Sequence, residues 1–313
     1  MNTILILGGG TAGTIMANKL RKALHHKEWD ITIIDKQQEH YYQPGFLFIP
    51  FGIYSEKDVI KPKTNFIPKG VNMILGDIDK ILPESKQVAL ADGSILPYDY
   101  LIIATGAHIR PDQTPGLVGP LWHKNVFDFY SVEGALKLSE FLNQWQGGHL
   151  VINIAEIPIK CPVAPLEFAF LADAYFTKKG MRSKVRISYA TPLPGAFTKP
   201  RATKMLGDLL QSKNIDVIPD FNLERVDNER KKIISYDGRE IDFDLLTIIP
   251  VNMGDEMIAR SGMGDDLNFV PTDKNTLRSV NHKNFFLWVT LPIYQRPKPG
   301  RWHTSPPKFF LTT

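Results

Sequence analysis

The sequence predicts an α/β protein built from two Rossmann-like dinucleotide-binding domains, on three observations. An apolar run at the N-terminus opens directly into a glycine-rich turn, and a second apolar run ends in an acidic residue. The order strand, turn, helix then recurs in the second half of the chain without the glycines.

The first run, Thr3 to Leu7, fits a short buried parallel strand, and a helix is predicted from the turn to about Leu24. Between them stand Gly8, Gly9, Gly10, Thr11, Ala12 and Gly13, in which Gly8, Gly10 and Gly13 form GxGxxG. The first glycine permits the tight turn, the second lets a pyrophosphate approach bare backbone, and the third lets helix pack on strand. Phosphate charge then rests on the helix N-terminus. Ile31 to Ile34 is the second strand, ending in Asp35, twenty-two residues after Gly13. A carboxylate there can accept both ribose hydroxyl hydrogens and repels a 2′-phosphate, so FAD or NAD is favoured over NADP.

Composition narrows the remaining classes. A chain of 313 residues, 43% hydrophobic and 22% charged, is ordinary for a globular protein with a sizeable core and long enough for two domains. The net charge of +4 is spread along the chain with no basic block, so no nucleic-acid partner is expected. A single cysteine, Cys161, excludes an internal disulfide and suits a reducing compartment. The eight histidines show no paired ligand spacing, so no metal is expected. No stretch reaches the roughly eighteen apolar residues a spanning helix needs, and the first residues read as a strand and not a signal peptide. A cytoplasmic location is expected, at most with peripheral contact on the inner face of the membrane.

Val71 to Ile78 can supply a third strand and its turn, and Lys86 to Tyr98 reads as alternating strands around the Asp92-Gly93 turn. A β-meander therefore stands where a simple NAD domain carries a helix. Tyr98 to Gly106 is then a buried strand ending in Ala104-Thr105-Gly106, small residues that let backbone pass close to a cofactor. GxGxxG, terminal Asp, meander and Ala-Thr-Gly in this order resemble the two-dinucleotide-domain flavoproteins of the glutathione-reductase-like group. The resemblance implies three-layer β/β/α domains, the second inserted in the first, with FAD in the first. It implies FAD contacts from Gly8, Gly10, Thr11, Ala12, Gly13, Asp35, Lys36, Tyr42, Ile78, Ala104, Thr105 and Gly106. The implied boundaries are 1–112 for the first part of the FAD domain, 113–246 for the second domain, 247–286 for the return, and 287–313 for an aberrant tail.

The second half decides the reaction. A helix is predicted near Val132 to Gln146, a strand over His149 to Ile154, and another helix from about Pro165 to Lys179. The turn between the last two, Ala155 to Ala164, has no glycine and contains Pro158 and Pro162. Its Cβ atoms would obstruct a pyrophosphate, and the next strand, Val185 to Tyr189, ends without an acid. Nicotinamide binding is therefore not expected, and the turn carries the chain's one thiol. Lys160-Cys161-Pro162 with Pro165 and Glu167 resembles the sulfide:quinone oxidoreductase family over residues 1–284. In that family a cysteine in this turn faces the flavin, takes sulfide-derived sulfur, and delivers electrons through FAD to a membrane quinone. Carried over, Cys161 is the redox nucleophile, with Lys160 and a helix N-terminus favouring its thiolate. His40 to Phe46 resembles the family's aromatic segment near the isoalloxazine ring, and Phe243 to Pro250 its strand back to the flavin domain. A sulfide dehydrogenase, a type II NADH dehydrogenase and a noncatalytic nucleotide-binding protein stay open as alternatives, as does homo-oligomerisation.

The end of the chain departs from the pattern. The family carries a strand Phe-x-x-Gly-Asp whose acid contacts the ribityl region; here Asn284, Phe285 and Phe286 begin such a strand, but no Gly-Asp follows. Combining the third base of each codon with the first two of the next, from Leu287 onward, permits Leu-Gly-Asp-Ala-Thr-Asn-Leu-Pro-Thr-Ser-Lys-Ala-Gly-Ser-Val-Ala-His-Phe. That string resembles the missing segment. Trp288 has one codon, so with Val289 it must give Gly, and Trp302 with His303 must give Ala. Residues 287–313 are therefore read as frameshifted. The reading implies loss of the ribityl clamp, of the family's second catalytic cysteine and of its membrane-docking helices, and hence an impaired or inactive relative.

Overall fold

The computed structural model describes residues 1–287. The chain divides into two compact units, each an α/β sandwich. Unit 1 comprises Met1–His40, Pro62–His108 and the chain from Met253; unit 2 comprises Tyr41–Lys61 and Ile109–Asn252, so its residues are inserted in the chain of unit 1.

In chain order unit 1 begins with β1 (Asn2–Leu7), α1 (Thr11–Ala23), β2 (Trp29–Asp35) and β3 (Asn72–Leu75). A meander, β4 (Ile78–Leu82), β5 (Gln87–Leu90) and β6 (Ile95–Pro97), precedes β7 (Tyr100–Ile103). Unit 2 carries β8 (Val126–Phe127), α2 (Val132–Gln144), β9 (Gly148–Ile154), α3 (Ala164–Lys178), β10 (Val185–Ala190), α4 (Pro200–Ser212) and β11 (Ile215–Ile218). Its own meander, β12 (Leu223–Asp227), β13 (Lys232–Ser235) and β14 (Glu240–Asp242), leads to β15 (Leu245–Ile249). The chain returns to unit 1 with α5 (Glu256–Arg260) and β16 (Phe285–Leu287).

The main sheet of unit 1 runs β16-β7-β1-β2-β3 and that of unit 2 runs β8-β15-β9-β10-β11, all neighbours parallel. Parallel strands covered on both faces are near-continuous apolar runs, and β1 shows why its own is uninterrupted. Ile4 and Ile6 point with Ile31, Ile33 and Ile102 toward Ala12 and Ala17 of α1. Leu5 and Leu7, with Ile34, Leu101 and Ile103, pack on Val88 and Leu90 of the meander and on Met257 and Ile258 of α5. Unit 2 repeats the three layers: Leu150, Ile152 and Ile154 meet Phe168, Ala169, Ala172 and Phe176 of α3. On the other face Val151, Leu246 and Ile248 meet Val226, Ile233 and Ile241 of the second meander. Each meander has a register irregularity in its first strand, at Ile78/Lys80 and at Leu223/Arg225.

The predicted strands and helices appear within a few residues of their expected ends, and the meander expected before β7 is present. Where the sequence kept residues 1–112 together, Tyr41–Lys61 group with unit 2. Phe46, Ile49 and Val59 pack on Ala135, and Leu47 joins Phe127 and Phe129 in the core. Phe285 to Leu287 form the expected return strand, paired with Leu101 to Ile103. The remainder of the proposed frameshifted tail lies outside the described residues.

Phe168 is fully buried and stacks on Phe129 at a centroid distance of 4.6 Å. Phe168→Ala is expected to destabilise the protein by about 3–5 kcal/mol, measured by urea unfolding; a loss under about 1 kcal/mol would contradict this account of the core of unit 2.

Candidate functional site

The glycine turn of unit 1 is fixed by what a side chain would strike. Gly8 has φ +97°, and a Cβ on it would lie 2.5 Å from the carbonyl oxygen of Ala104, in the Ala-Thr-Gly turn after β7. A Cβ on Gly13 would lie under 2 Å from the carbonyl oxygen of Gly8, so only glycine lets α1 sit on the turn. Gly10, the N-cap of α1, is different: a Cβ there meets no protein atom within 4 Å. The space beside it is open, as the pyrophosphate approach requires, and the first N–H groups of α1 lie beside it. Thr11 is exposed at the helix start and Ala12 is buried beneath it. Gly106, with φ +77°, also faces open space. Unit 1 therefore brings Gly8, Gly10, Thr11, Ala12, Gly13 and the Ala104-Thr105-Gly106 turn to the C-terminal ends of β1 and β7, where ligands of open α/β sheets bind.

Asp35 ends β2 beside this turn. Its Oδ2 accepts from the Gly9 amide at 2.6 Å and pairs with the ammonium of Lys63 at 2.8 Å, and its Oδ1 accepts from the Gln37 amide at 2.8 Å. Lys36 is exposed next to it. His40 is buried close by, its pKa lowered chiefly by burial, with Nδ1 lacking a partner among the described residues. The Ile78 side chain is in the core of unit 1 and its carbonyl accepts from Arg260 at 2.9 Å; Tyr42 is half-exposed and belongs to unit 2. Lys63 did not stand out in the sequence. The unneeded third glycine, Gly9, was its one trace: a Cβ there would lie 2.8 Å from Cδ of Lys63.

Unit 2 places the thiol in the equivalent connection. β9, central in its sheet as β1 is in its own, leads through the glycine-free turn to α3. Cys161 is exposed in that turn, three residues before α3 begins, and its carbonyl oxygen accepts from the Tyr130 hydroxyl at 2.7 Å. Burial, then the neighbouring cysteine, pushes the Tyr130 phenol well above its ordinary range, so it donates and does not ionise. The Lys160 amide donates to Asn252 Oδ1 at 3.0 Å, tying down the turn after the cis Ile157-Pro158 bond. The Lys160 ammonium reaches Gln43 Oε1 at 3.2 Å and lies 5.7 Å from the centre of the Tyr130 ring. Burial lowers its pKa to about 8, against the opposing charge of Asp128. Lys160 and Cys161 are adjacent in the chain, but no hydrogen bond joins their side chains. β10 ends at Ala190, so the acid that Asp35 supplies to unit 1 has no counterpart there.

With this geometry in view, residues 2–152 match the family model of the pyridine nucleotide-disulphide oxidoreductases. This similarity supports FAD as the cofactor, and the open space at Gly10 and the carboxylate of Asp35 fit its adenosine diphosphate end. The chain is also 29% identical over 288 residues to the mitochondrial sulfide:quinone oxidoreductase of Dictyostelium discoideum. That match covers 90% of this chain and 64% of the relative, so the chain spans less than two thirds of the relative's length. A shorter similarity, 33% over 140 residues, covers 44% of the chain and 33% of a type II NADH:quinone oxidoreductase of Staphylococcus aureus. The solved sulfide:quinone oxidoreductase of Aquifex aeolicus shares the fold with TM-score 0.80 at 22% identity, covering 93% of this chain and 68% of its own. Among the described residues no group of His, Cys, Asp and Glu could hold a metal ion, and no helix is long and apolar enough to cross a membrane.

Two predictions follow from these contacts. Gly10→Ala is expected to cost about 1 kcal/mol or less in stability while weakening FAD binding by more than about tenfold; Gly8→Ala should cost more than about 3 kcal/mol. Thermal melts with and without FAD separate them, and equal melting losses would refute the distinction. Lys160 is protonated in both folded and unfolded chains below about pH 8, where the burial penalty is present in full. Between about 8 and the ordinary value of 10.5 the unfolded chain binds more protons, so this group's contribution to stability rises with pH. Lys160→Met should accordingly be more stable than wild type near neutrality and lose that advantage by about pH 10, read from urea midpoints.

Proposed function

We propose that the chain is an FAD-dependent oxidoreductase of the sulfide:quinone oxidoreductase type, drawing electrons from sulfide through Cys161. The observation that carries this reading is the connection after β9. In the position where unit 1 has a phosphate-cradling glycine turn, unit 2 has a glycine-free turn presenting an exposed thiol. A twin of the dinucleotide fold that cannot admit a pyrophosphate has no use for NADH, and a thiol there suits a sulfur donor.

The chemistry asked of the residues is modest. The Cys161 thiolate and hydrosulfide join in a sulfur–sulfur bond as the S–H bond breaks, leaving Cys161 as the persulfide and releasing one proton and two electrons; a further hydrosulfide then takes the outer sulfur as polysulfide and restores the thiolate. FAD, when bound, supplies the two-electron acceptor, and a quinone is the final one. Tyr130 holds the backbone of Cys161 in place by donating to its carbonyl. Lys160, with its pKa lowered to about 8, supplies positive charge to the turn below that pH and is a neutral amine able to accept a proton above it. Similarity to sulfide:quinone oxidoreductases over 90% of the chain supports the reading. Peripheral contact with a membrane that holds the quinone, and self-association, go with it as proposals.

A second reading, a type II NADH dehydrogenase, is favoured by the 140-residue similarity to the Staphylococcus aureus enzyme. The turn after β9 and the acid-free end of β10 argue against it. Purified protein should show visible flavin absorbance that sulfide bleaches and NADH does not. Cys161→Ser should keep the absorbance and lose the sulfide response. Bleaching by NADH alone would overturn the proposal in favour of the second reading, and a colourless protein that takes up no FAD would leave only a nucleotide-binding role.

A further inference from the structure

We infer that Lys63 is a cofactor-binding residue, and that an acid and a cation share the adenosine ribose diol of FAD in place of a carboxylate gripping both hydroxyls. The inference rests on the FAD reading of unit 1 and deepens it.

It begins with the acceptor capacity of Asp35. An ionised carboxylate offers about four acceptor positions. The Gly9 amide and the Lys63 ammonium occupy Oδ2, and the Gln37 amide occupies one position on Oδ1. One position remains, on Oδ1, which suffices for one hydroxyl and not two. The second hydroxyl needs another partner beside Asp35, and Lys63 is there. Its ammonium has three N–H donors; one is on Asp35, and no other acceptor engages the rest among the described residues. A hydroxyl oxygen accepts as readily as its hydrogen donates, so one hydroxyl gives its proton to Asp35 while the other receives one from Lys63.

Three features show that the cation is built in. Lys63 is buried, and a lone buried ammonium would be costly without the Asp35 partner. Its amide donates to Gln38 at 2.8 Å, pinning it to the loop that follows Asp35. Gly9, which the nucleotide motif leaves free to vary, is a residue whose Cβ would press on Cδ of Lys63 at 2.8 Å and on Asp35 Oδ2 at 3.3 Å. The bare backbone at Gly9 thus makes room for the lysine stem, as Gly10 does for phosphate. The unpartnered Nδ1 of buried His40, near the same ion pair, marks a further polar group there awaiting a partner.

The test is a cycle between Lys63 and the ribose. Deflavinated full-length protein is titrated with FAD and with FAD lacking the adenosine 2′ and 3′ hydroxyls, and the affinity ratio is taken as the diol preference. Lys63→Met is expected to reduce that preference by about tenfold, whereas Lys63→Arg keeps it within about twofold. Should the Met variant not fold, Lys63→Gln carries the same expectation with a fall of about threefold. A purely structural lysine would weaken both ligands equally, and an unchanged preference in the neutral variant overturns this inference while leaving the FAD assignment standing. Wild-type protein that takes up no flavin would defeat the assignment and the inference together.

Discussion

Everything in unit 1 converges on one junction of bare backbone. The carbonyl of Ala104, the turn at Gly8 and the first turn of α1 at Gly13 approach so closely that a single methyl group at either glycine would overlap a carbonyl oxygen. This approach holds the ends of β1 and β7 together and aims the start of α1 across the open space at Gly10. Hydrophobic burial of the isoleucines and leucines of β1 stabilises the sheet, but burial has no direction. The glycine junction supplies the direction. It is a steric constraint, satisfied only by the residue with the least intrinsic preference for order.

Unit 2 repeats the same layers around a different connection. Its sheet order, its helix after the central strand and its bulged meander reproduce unit 1, yet the connection after β9 contains two prolines and a thiol. A shared scaffold with different chemistry at the same corner is expected when function resides in loops at the strand ends. The surroundings of the two corners differ in kind. Around Asp35 the charges are paired and buried, whereas around the exposed thiol of Cys161 stand a buried tyrosine, a glutamine and a lysine whose pKa burial lowers.

Much of this was legible in the sequence because its signals were local. Period and run length marked β1, β2, β7 and β9; the Asp92-Gly93 turn announced the first meander; the missing glycines set the second connection apart from the first. What the sequence did not disclose was non-local. Nothing in Tyr41–Lys61 says that Leu47 will enter the core beside Phe127, since the apolar residues of a short segment carry no address for their partner. Tyr42 followed that segment into unit 2, and Ile78, chosen for its place after a strand, turned its side chain to the core. Lys63 was one lysine among many, twenty-eight positions from the carboxylate it neutralises. The meaning of Gly9 became readable only with both in view.

The solitary thiol has a practical side. Because the chain has one cysteine and that cysteine is solvent-accessible, any maleimide or haloacetamide label attaches at a single known coordinate without prior mutagenesis. A fluorophore or spin probe placed there reports on one turn of one unit, and the stoichiometry of labelling counts intact chains directly.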